Sequence, residues 1–277
     1  MSGAGDAAKL SFGRAAKGLV VAGAVVLSAP ASASTNWTGE SNCESLFVRL
    51  PDTLPGGAEL ETYWEEDRVH LYRLPEGGTL RIEGPQVMRE SVMGADFQSA
   101  RANLYREAPF GLRGRHGPGQ GVVLAQVESE YHGEVSVTGS AMGFAGERGS
   151  SELRITPVVH LADWDGYDAA SEADQALWDK SVCSQSHHEL GHILVAAQVM
   201  AESEGALTEV ASPTQTGISL AIRTQLEDMM SRIKRRQDRY HAEIDAMGWQ
   251  FADSRPYVDL PFSWLGGRQR VGGAGER

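Results

Sequence analysis

The spacing of the apolar residues in this chain changes once, near residue 166, and this change limits the folds that the chain can form. Before it, apolar residues recur at every second position, as in Leu153–Leu161, which is typical of a strand with one buried face. After it, they recur every three or four positions, as in amphipathic helices. We expect an α+β fold, with a β-rich part over residues 34–165, a helical part over 166–265 and a disordered tail over 266–277.

Two strands and three helices stand out within these parts. The segments Val69–Tyr72 and Thr79–Ile82 flank a Pro-Glu-Gly-Gly turn, which predicts a β-hairpin. The helical part predicts a short helix over Ala169–Asp179, a second helix over Ser181–Ala201 and a long helix over about 217–247. We therefore predict a mostly antiparallel sheet packed against two main helices.

Residues 1–33 are typical of a secretory signal peptide. Basic side chains precede the apolar stretch Gly18–Leu27, and small residues then form an Ala-x-Ala cleavage site that ends at Ala33. The apolar stretch is about half the roughly 20 residues that a membrane-spanning helix needs. We expect a secreted or periplasmic protein with no membrane span after cleavage.

Charge and cysteine content narrow the function further. The chain has 37 acidic and 25 basic residues, a net charge of −12. Such a surplus of acid disfavours binding to nucleic acid and to anionic membranes, both of which attract basic proteins.

Cys43 and Cys183 are the two cysteines of the sequence. In the oxidising compartment that export implies, we expect them to form a disulfide.

The segment His188-Glu189-Leu190-Gly191-His192 is a His-Glu-x-x-His motif within a predicted helix. Residues four apart lie on one helix face, so both imidazoles can bind one Zn²⁺ ion. Glu189 is next to this face and can accept a proton from the attacking water, which makes it the candidate general base. Gly191 leaves room for another element to approach the helix closely.

A catalytic zinc site needs a third protein ligand, and the end of the long predicted helix is the best source. We favour His241, then Glu243, then Asp245. Asp245 is also four residues from His241 and is placed to support it as a hydrogen-bond partner. Glu209 is a further alternative if the chain turns after the motif. Tyr240 lies within the apolar stripe of the same helix, and its hydroxyl is a candidate stabiliser of an oxyanion.

The chain resembles a bacterial family of secreted proteins with a domain of unknown function that are predicted to be zinc-dependent proteases. The resemblance consists of the strand Leu153–Leu161 running into Ala162-Asp163-Trp164, of Trp178 followed by His188–His192, and of the helix ending at Tyr240–Gly248. It implies a zincin-like active-site helix and a peptidase function. Where the family has an aspartate after the tyrosine, this chain has His241, which can replace it as a ligand.

These observations predict a secreted zinc metallopeptidase that hydrolyses a peptide or protein substrate, with a strand within residues 133–161 holding the substrate by main-chain hydrogen bonds. The alternative is a non-catalytic envelope or binding protein that zinc stabilises. It is suggested by Met247, which stands where the family has a histidine. The sequence specifies neither the cleavage preference nor the oligomeric state, and residues 43–120 contain no recognisable motif.

Overall fold

The computed structural model describes residues 8–17, 47, 50–107 and 124–246. Within these residues, a nine-stranded sheet packs against three helices, two of which are long. The predicted α+β fold is confirmed. The predicted disordered tail over 266–277, and residues 1–7 and 18–33 of the predicted signal peptide, lie outside the described residues.

The elements follow one another as strands first and helices second, apart from one short helix and one two-residue strand. The strands are β1 Ala8–Lys17, β2 Glu59–Trp64, β3 Val69–Arg73, β4 Thr79–Ile82, β5 Gln86–Val92, β6 Ala125–Ser140, β7 Gly143–Gly146, β8 Glu152–Trp164 and β9 Ala211–Ser212. The helices are α1 Phe97–Glu107, α2 Glu172–Thr208 and α3 Gln215–Ala246. The last long strand ends at Trp164, where the apolar spacing changes.

The sheet is organised around β8. The predicted hairpin is confirmed as β3 and β4, and most other neighbours are also antiparallel. The prediction missed the two parallel pairings, in which β4 and then β5 run along the edge of β8 that faces away from β6. Pro85 separates β4 from β5, since proline has no N–H group to continue the ladder.

The strand β6 carries different partners on its two edges. On one edge it forms a long hairpin with β7 and β8, with Val137 opposite Gly146 and Glu134 opposite Glu152. On the other edge, β1 is antiparallel to residues 130–137 of β6. Residues 125–129 of β6 extend beyond the last β1 partner, and there the strand lies next to α2.

The helix α2 is a single helix of 37 residues, so the prediction of two helices over Ala169–Asp179 and Ser181–Ala201 was wrong. No glycine or proline lies between the two predicted segments, and nothing in the sequence there ends a helix. The helix begins at Ser171, whose hydroxyl accepts a hydrogen bond from the Asp174 N–H at 3.2 Å. The long helix predicted over about 217–247 is confirmed as α3.

The hydrophobic core lies between the sheet and the two long helices. Alternate side chains of β6 and β8 pack against α2, and α2 in turn packs against α3. From residue 188 to 201, nearly every side chain of α2 is buried, because the helix has protein on all sides. A second, smaller cluster joins α1 to Trp164 and Trp178. Within the described part of the chain, no helix is long and apolar enough to cross a membrane.

A buried carboxylate fixes the position of α2 against the sheet. Glu204 is fully buried, and its side chain accepts hydrogen bonds from the N–H groups of Glu76 at 2.8 Å and Gly78 at 2.6 Å. The Ser151 hydroxyl also donates to it, at 3.1 Å. Glu76 and Gly78 belong to the β3–β4 turn, and Ser151 immediately precedes β8. One side chain therefore ties the helix to two parts of the sheet.

We expect Glu204→Gln to lower the free energy of unfolding by about 2–3 kcal/mol. Both carboxylate oxygens accept hydrogen bonds, and the amide would place a donor against one of these donors. The matched control is Glu202→Gln, two residues away, whose side chain is partly exposed and pairs with Arg232 at 3.3 Å. It should cost less than about 1 kcal/mol. Urea denaturation of both variants measures this, and equal losses would contradict the anchoring role of Glu204.

Candidate metal centre

Three histidine side chains from two helices meet at one point. His188 and His192 lie one turn apart on α2, and His241 lies near the C-terminal end of α3. Nε2 of His192 is 3.1 Å from Nε2 of His188 and 3.0 Å from Nε2 of His241. One ligand atom from each residue lies within 4.8 Å of the others. The structure therefore brings the three predicted metal ligands together.

The separations between these nitrogens fit a single small cation. Tetrahedral zinc, with Zn–N distances of about 2.0–2.1 Å, needs ligand nitrogens roughly 3.3 Å apart. The shorter separations in the cluster are close to this value. His188 is buried, whereas His241 is exposed, so the cluster lies at the protein surface with one side toward solvent. The donor set fits Zn²⁺, and three protein ligands leave a fourth coordination position for a water or a substrate.

The electrostatics of the cluster favour neutral imidazoles. Burial lowers the pKa of His192 well below its ordinary value, and the neighbouring His188 and His241 lower it further. A histidine binds a metal ion through a neutral ring nitrogen. The ring that lies between the other two is therefore already in its metal-binding form at neutral pH.

A close approach of the two long helices places His241 beside the motif. Tyr240 of α3 is buried, and its hydroxyl donates to the backbone carbonyl oxygen of His188 at 3.0 Å. A Cβ atom on Gly191 would lie only 2.0 Å from that hydroxyl oxygen. Only glycine therefore allows α3 to come this near, as predicted for this position. The predicted oxyanion role of Tyr240 stays a prediction, since here its hydroxyl holds the backbone of α2.

Glu189 lies between the histidine cluster and the sheet. Its Oε1 atom is 4.0 Å from Nε2 of His188, and its Oε2 atom accepts a hydrogen bond from the Val127 N–H at 2.8 Å. Burial raises the pKa of Glu189 to about 8, although the Val127 N–H acts in the opposite direction. A carboxyl group with such a pKa can both take up and release a proton near neutral pH. One of its oxygens is fixed by the sheet, and the other faces His188.

Gln185, which the sequence did not identify as part of the site, lies one turn before Glu189 on α2 and also binds the sheet. Its Oε1 atom accepts hydrogen bonds from the N–H groups of Leu124 and Ala125, at 3.1 Å from the latter. Gln185 precedes Glu189 by one helical turn, and the two side chains bind N–H groups that lie close together at the start of β6. The spacing of four residues was the available signal, but nothing in the sequence identified residues 124–127 as their partners.

The alternative ligands lie elsewhere or outside the described residues. Glu243 is paired with Arg239, with Oε1 2.6 Å from Nε. Glu209 follows the last residue of α2, and seventeen residues of helix place it about 25 Å from His192. The side chain of Asp245 lies outside the described residues, as does Cys43. The expected disulfide with Cys183 therefore stays a prediction.

The contact between Gly191 and Tyr240 gives a test of how the centre is assembled. We expect Gly191→Ala to lower the free energy of unfolding by about 1–3 kcal/mol, because the added methyl group would push α3 away. Gly205→Ala on the same helix is the control, since a Cβ there meets only Glu76 Cγ at 3.9 Å. Alanine should be neutral or stabilising at that position. Thermal unfolding of the two variants measures the difference, and a stable Gly191→Ala protein would show that the helices do not need this contact.

Comparison with known proteins assigns the chain to a family. Comparisons with curated proteins and with solved structures give no significant match. Residues 90–248 match the family described as "Bacterial protein of unknown function (DUF922)". The match covers more than half of the chain and includes α1, the strands β6 to β9, both long helices and the three histidines. The chain belongs to the DUF922 family of bacterial proteins of unknown function.

Proposed function

We propose that this protein is a zinc-dependent peptidase. One observation carries the proposal: nitrogens of His188, His192 and His241 converge within 4.8 Å, next to a buried glutamate that the motif supplies. Three protein ligands with an open position are typical of catalytic zinc sites. The exposure of His241 gives a substrate access to the centre.

The three histidines would hold the zinc ion, and each of the other residues has its own part in the proposed reaction. When bound, zinc supplies a Lewis acid that polarises the scissile carbonyl and makes a water molecule more acidic. Glu189 accepts a proton from the attacking water at Oε1, while the Val127 N–H holds Oε2 in place. Glu189 then passes this proton to the leaving amine. Tyr240 holds the backbone of α2 and so fixes the orientation of His188.

We further propose that the protein acts outside the cytoplasm on a peptide or protein substrate. The signal-peptide pattern of residues 1–33 supports export. The net charge of −12 supports a partner other than nucleic acid or an anionic membrane. The chain carries no other catalytic motif, which leaves the histidine cluster as the site of reaction.

A second candidate is a non-catalytic protein in which zinc only stabilises the fold. It is favoured by the hydrogen bonds of two candidate catalytic groups, since Glu189 binds Val127 and Tyr240 binds His188. Both groups connect elements of the fold. In this alternative, the metal would join α2 to α3, and its removal would separate the helices.

The first test of the proposal is zinc content. We expect close to one zinc per chain in the purified protein, and a large loss of zinc in His241→Ala because a three-ligand site would lose one ligand. Glu243→Gln is the control, because it removes the neighbouring carboxylate that pairs with Arg239. Elemental analysis of the three proteins measures the zinc content per chain. Equal zinc contents in all three proteins would show that His241 is not a zinc ligand. The absence of zinc from all three would contradict the proposed metal centre.

The second test separates catalysis from zinc-dependent stability. We expect Glu189→Gln to keep its zinc and to lose at least about 100-fold in the rate of peptide hydrolysis, since proton transfer is worth about 10²–10⁴-fold. Gln185→Glu is a useful comparison, because it keeps an acceptor for Leu124 and Ala125 one turn away. Rates on a denatured protein substrate, with zinc measured on the same samples, give the result. An active Glu189→Gln protein would contradict the proposal, whereas zinc-dependent stability without any hydrolysis would favour the second candidate.

A further inference from the structure

We propose that the edge of β6 over residues 130–137 binds an extended segment of the substrate as an added antiparallel strand, and that β1 occupies this edge until the N-terminal segment is removed. The inference rests on the proposed peptidase function, because it identifies the substrate site of the same centre. It is carried by the pairing of β1 with β6, by the N–H pattern of β6 and by the position of Glu189 along this edge.

The N–H groups of β6 show which edge is involved. Those of Ala125 and Val127 point away from β8, because they donate to Gln185 and Glu189. Alternation along an antiparallel strand puts the N–H groups of Tyr131, Gly133 and Val135 on the same edge. Beyond residues 124–127, this edge is available to a strand, and in the full chain β1 takes it.

The pairing of β1 shows what the edge accepts. Leu10 lies opposite Val135, Phe12 opposite Gly133 and Lys17 opposite Glu130, with an irregularity between Phe12 and Ala16. The strand is antiparallel and ten residues long. An antiparallel strand of this length supplies main-chain hydrogen bonds whatever its sequence, as in other cases where a peptide extends a sheet.

The direction of this strand leads to the candidate centre. The last pair, Lys17 with Glu130, is at the end of β1 nearer to Glu189. Three residues further along β6, the N–H of Val127 is already taken by Glu189. The ladder must therefore end there, and a chain that continues past the position of Lys17 leaves the sheet beside the general base. The scissile bond is expected a few residues after the paired segment.

The side chains of β6 define the sequence that a substrate would need. Tyr131 and Val135 are buried on the face toward the helices, and Gly133 has Leu226 and Leu153 against it. On the opposite face, Glu130 is exposed, and Glu134 is half-buried beside His132 at 3.1 Å. A strand that alternates small or apolar residues with basic residues matches both faces.

Cleavage of the predicted signal peptide during export would regulate access to the edge of β6. Cleavage after Ala33, which the sequence predicts, would remove β1 and leave the edge of β6 without its partner. As long as it stays attached to the folded chain, the N-terminal segment would hold the position of a substrate and so keep the site closed. The segment that occupies the edge, AKLSFGRAAK, places apolar Leu10 and Phe12 opposite the buried positions Val135 and Gly133, and Lys17 opposite the exposed Glu130.

The experiment uses a labelled peptide with the sequence of residues 8–17 and the exported protein, purified from a secreting host. Mass spectrometry should first show an N terminus beyond residue 17. A protein that keeps residues 8–17 would contradict the claim that processing removes β1 from the edge of β6. Fluorescence anisotropy should then show saturable binding. N-methylation of the peptide at Leu10 and Phe12, whose N–H groups face β6, should weaken binding at least tenfold. N-methylation at Lys9 and Ser11 should change it less than twofold, and equal effects would overturn the proposal.

Protein variants test the charge on the edge. Glu130→Lys should weaken binding about five- to tenfold, whereas Glu65→Lys, on the exposed β2–β3 turn, should leave it within twofold. The peptide ends before the position opposite Glu189, so its binding is measured without hydrolysis. Peptide binding by a protein that contains no zinc and hydrolyses no substrate would support the strand site and contradict the proposed peptidase function. A protein that contains zinc and shows hydrolysis dependent on Glu189, but does not bind the peptide, would contradict the strand site alone.

Discussion

The candidate centre depends on the close approach of α2 and α3 at Gly191. Because this position has no side chain, Tyr240 reaches the carbonyl oxygen of His188, and the next residue of α3, His241, is brought to 3.0 Å from His192. The third imidazole is therefore placed by packing and not by sequence proximity. A helix–helix contact is stiffer than a loop, so the packing of α2 on α3 limits how far the three nitrogens can move apart.

The helix α2 is also fixed on its other side, by polar side chains that bind the backbone of the sheet. Gln185 and Glu189 bind the start of β6, and Glu204 binds the β3–β4 turn. Burying such groups costs free energy unless their hydrogen bonds are made, and each of them has its partners here. Packing alone would allow the helix to slide or rotate on an apolar sheet, whereas these bonds allow only one position. The motif is therefore held in one register against the strand that leads to it.

The sequence was sufficient for the parts that depend on local spacing. The four-residue interval predicts that His188 and His192 share a face, and the apolar stripe of α3 predicts a long helix that carries His241. It was not sufficient where distant segments meet. The parallel pairing of β4 and β5 with β8, and the use of Val127 by Glu189, depend on the path of the whole chain. The error over α2 arose where the helix passes from the small cluster around Trp178 to the main core, because such a change of buried contacts resembles a break between two helices.

The bond between Glu189 and Val127 has different consequences in the two proposed functions. In a structural protein, the carboxylate is only a substitute for the next strand and caps the edge of β6. In a peptidase, the same bond orients one oxygen and leaves the other toward His188, and it also ends the ladder at the place where a bound strand must leave the sheet. The peptidase function explains why the capped edge of β6, the general base and the three imidazoles lie next to each other. A purely structural cap gives no reason for this proximity, and this is the physical argument for a substrate that arrives along β6.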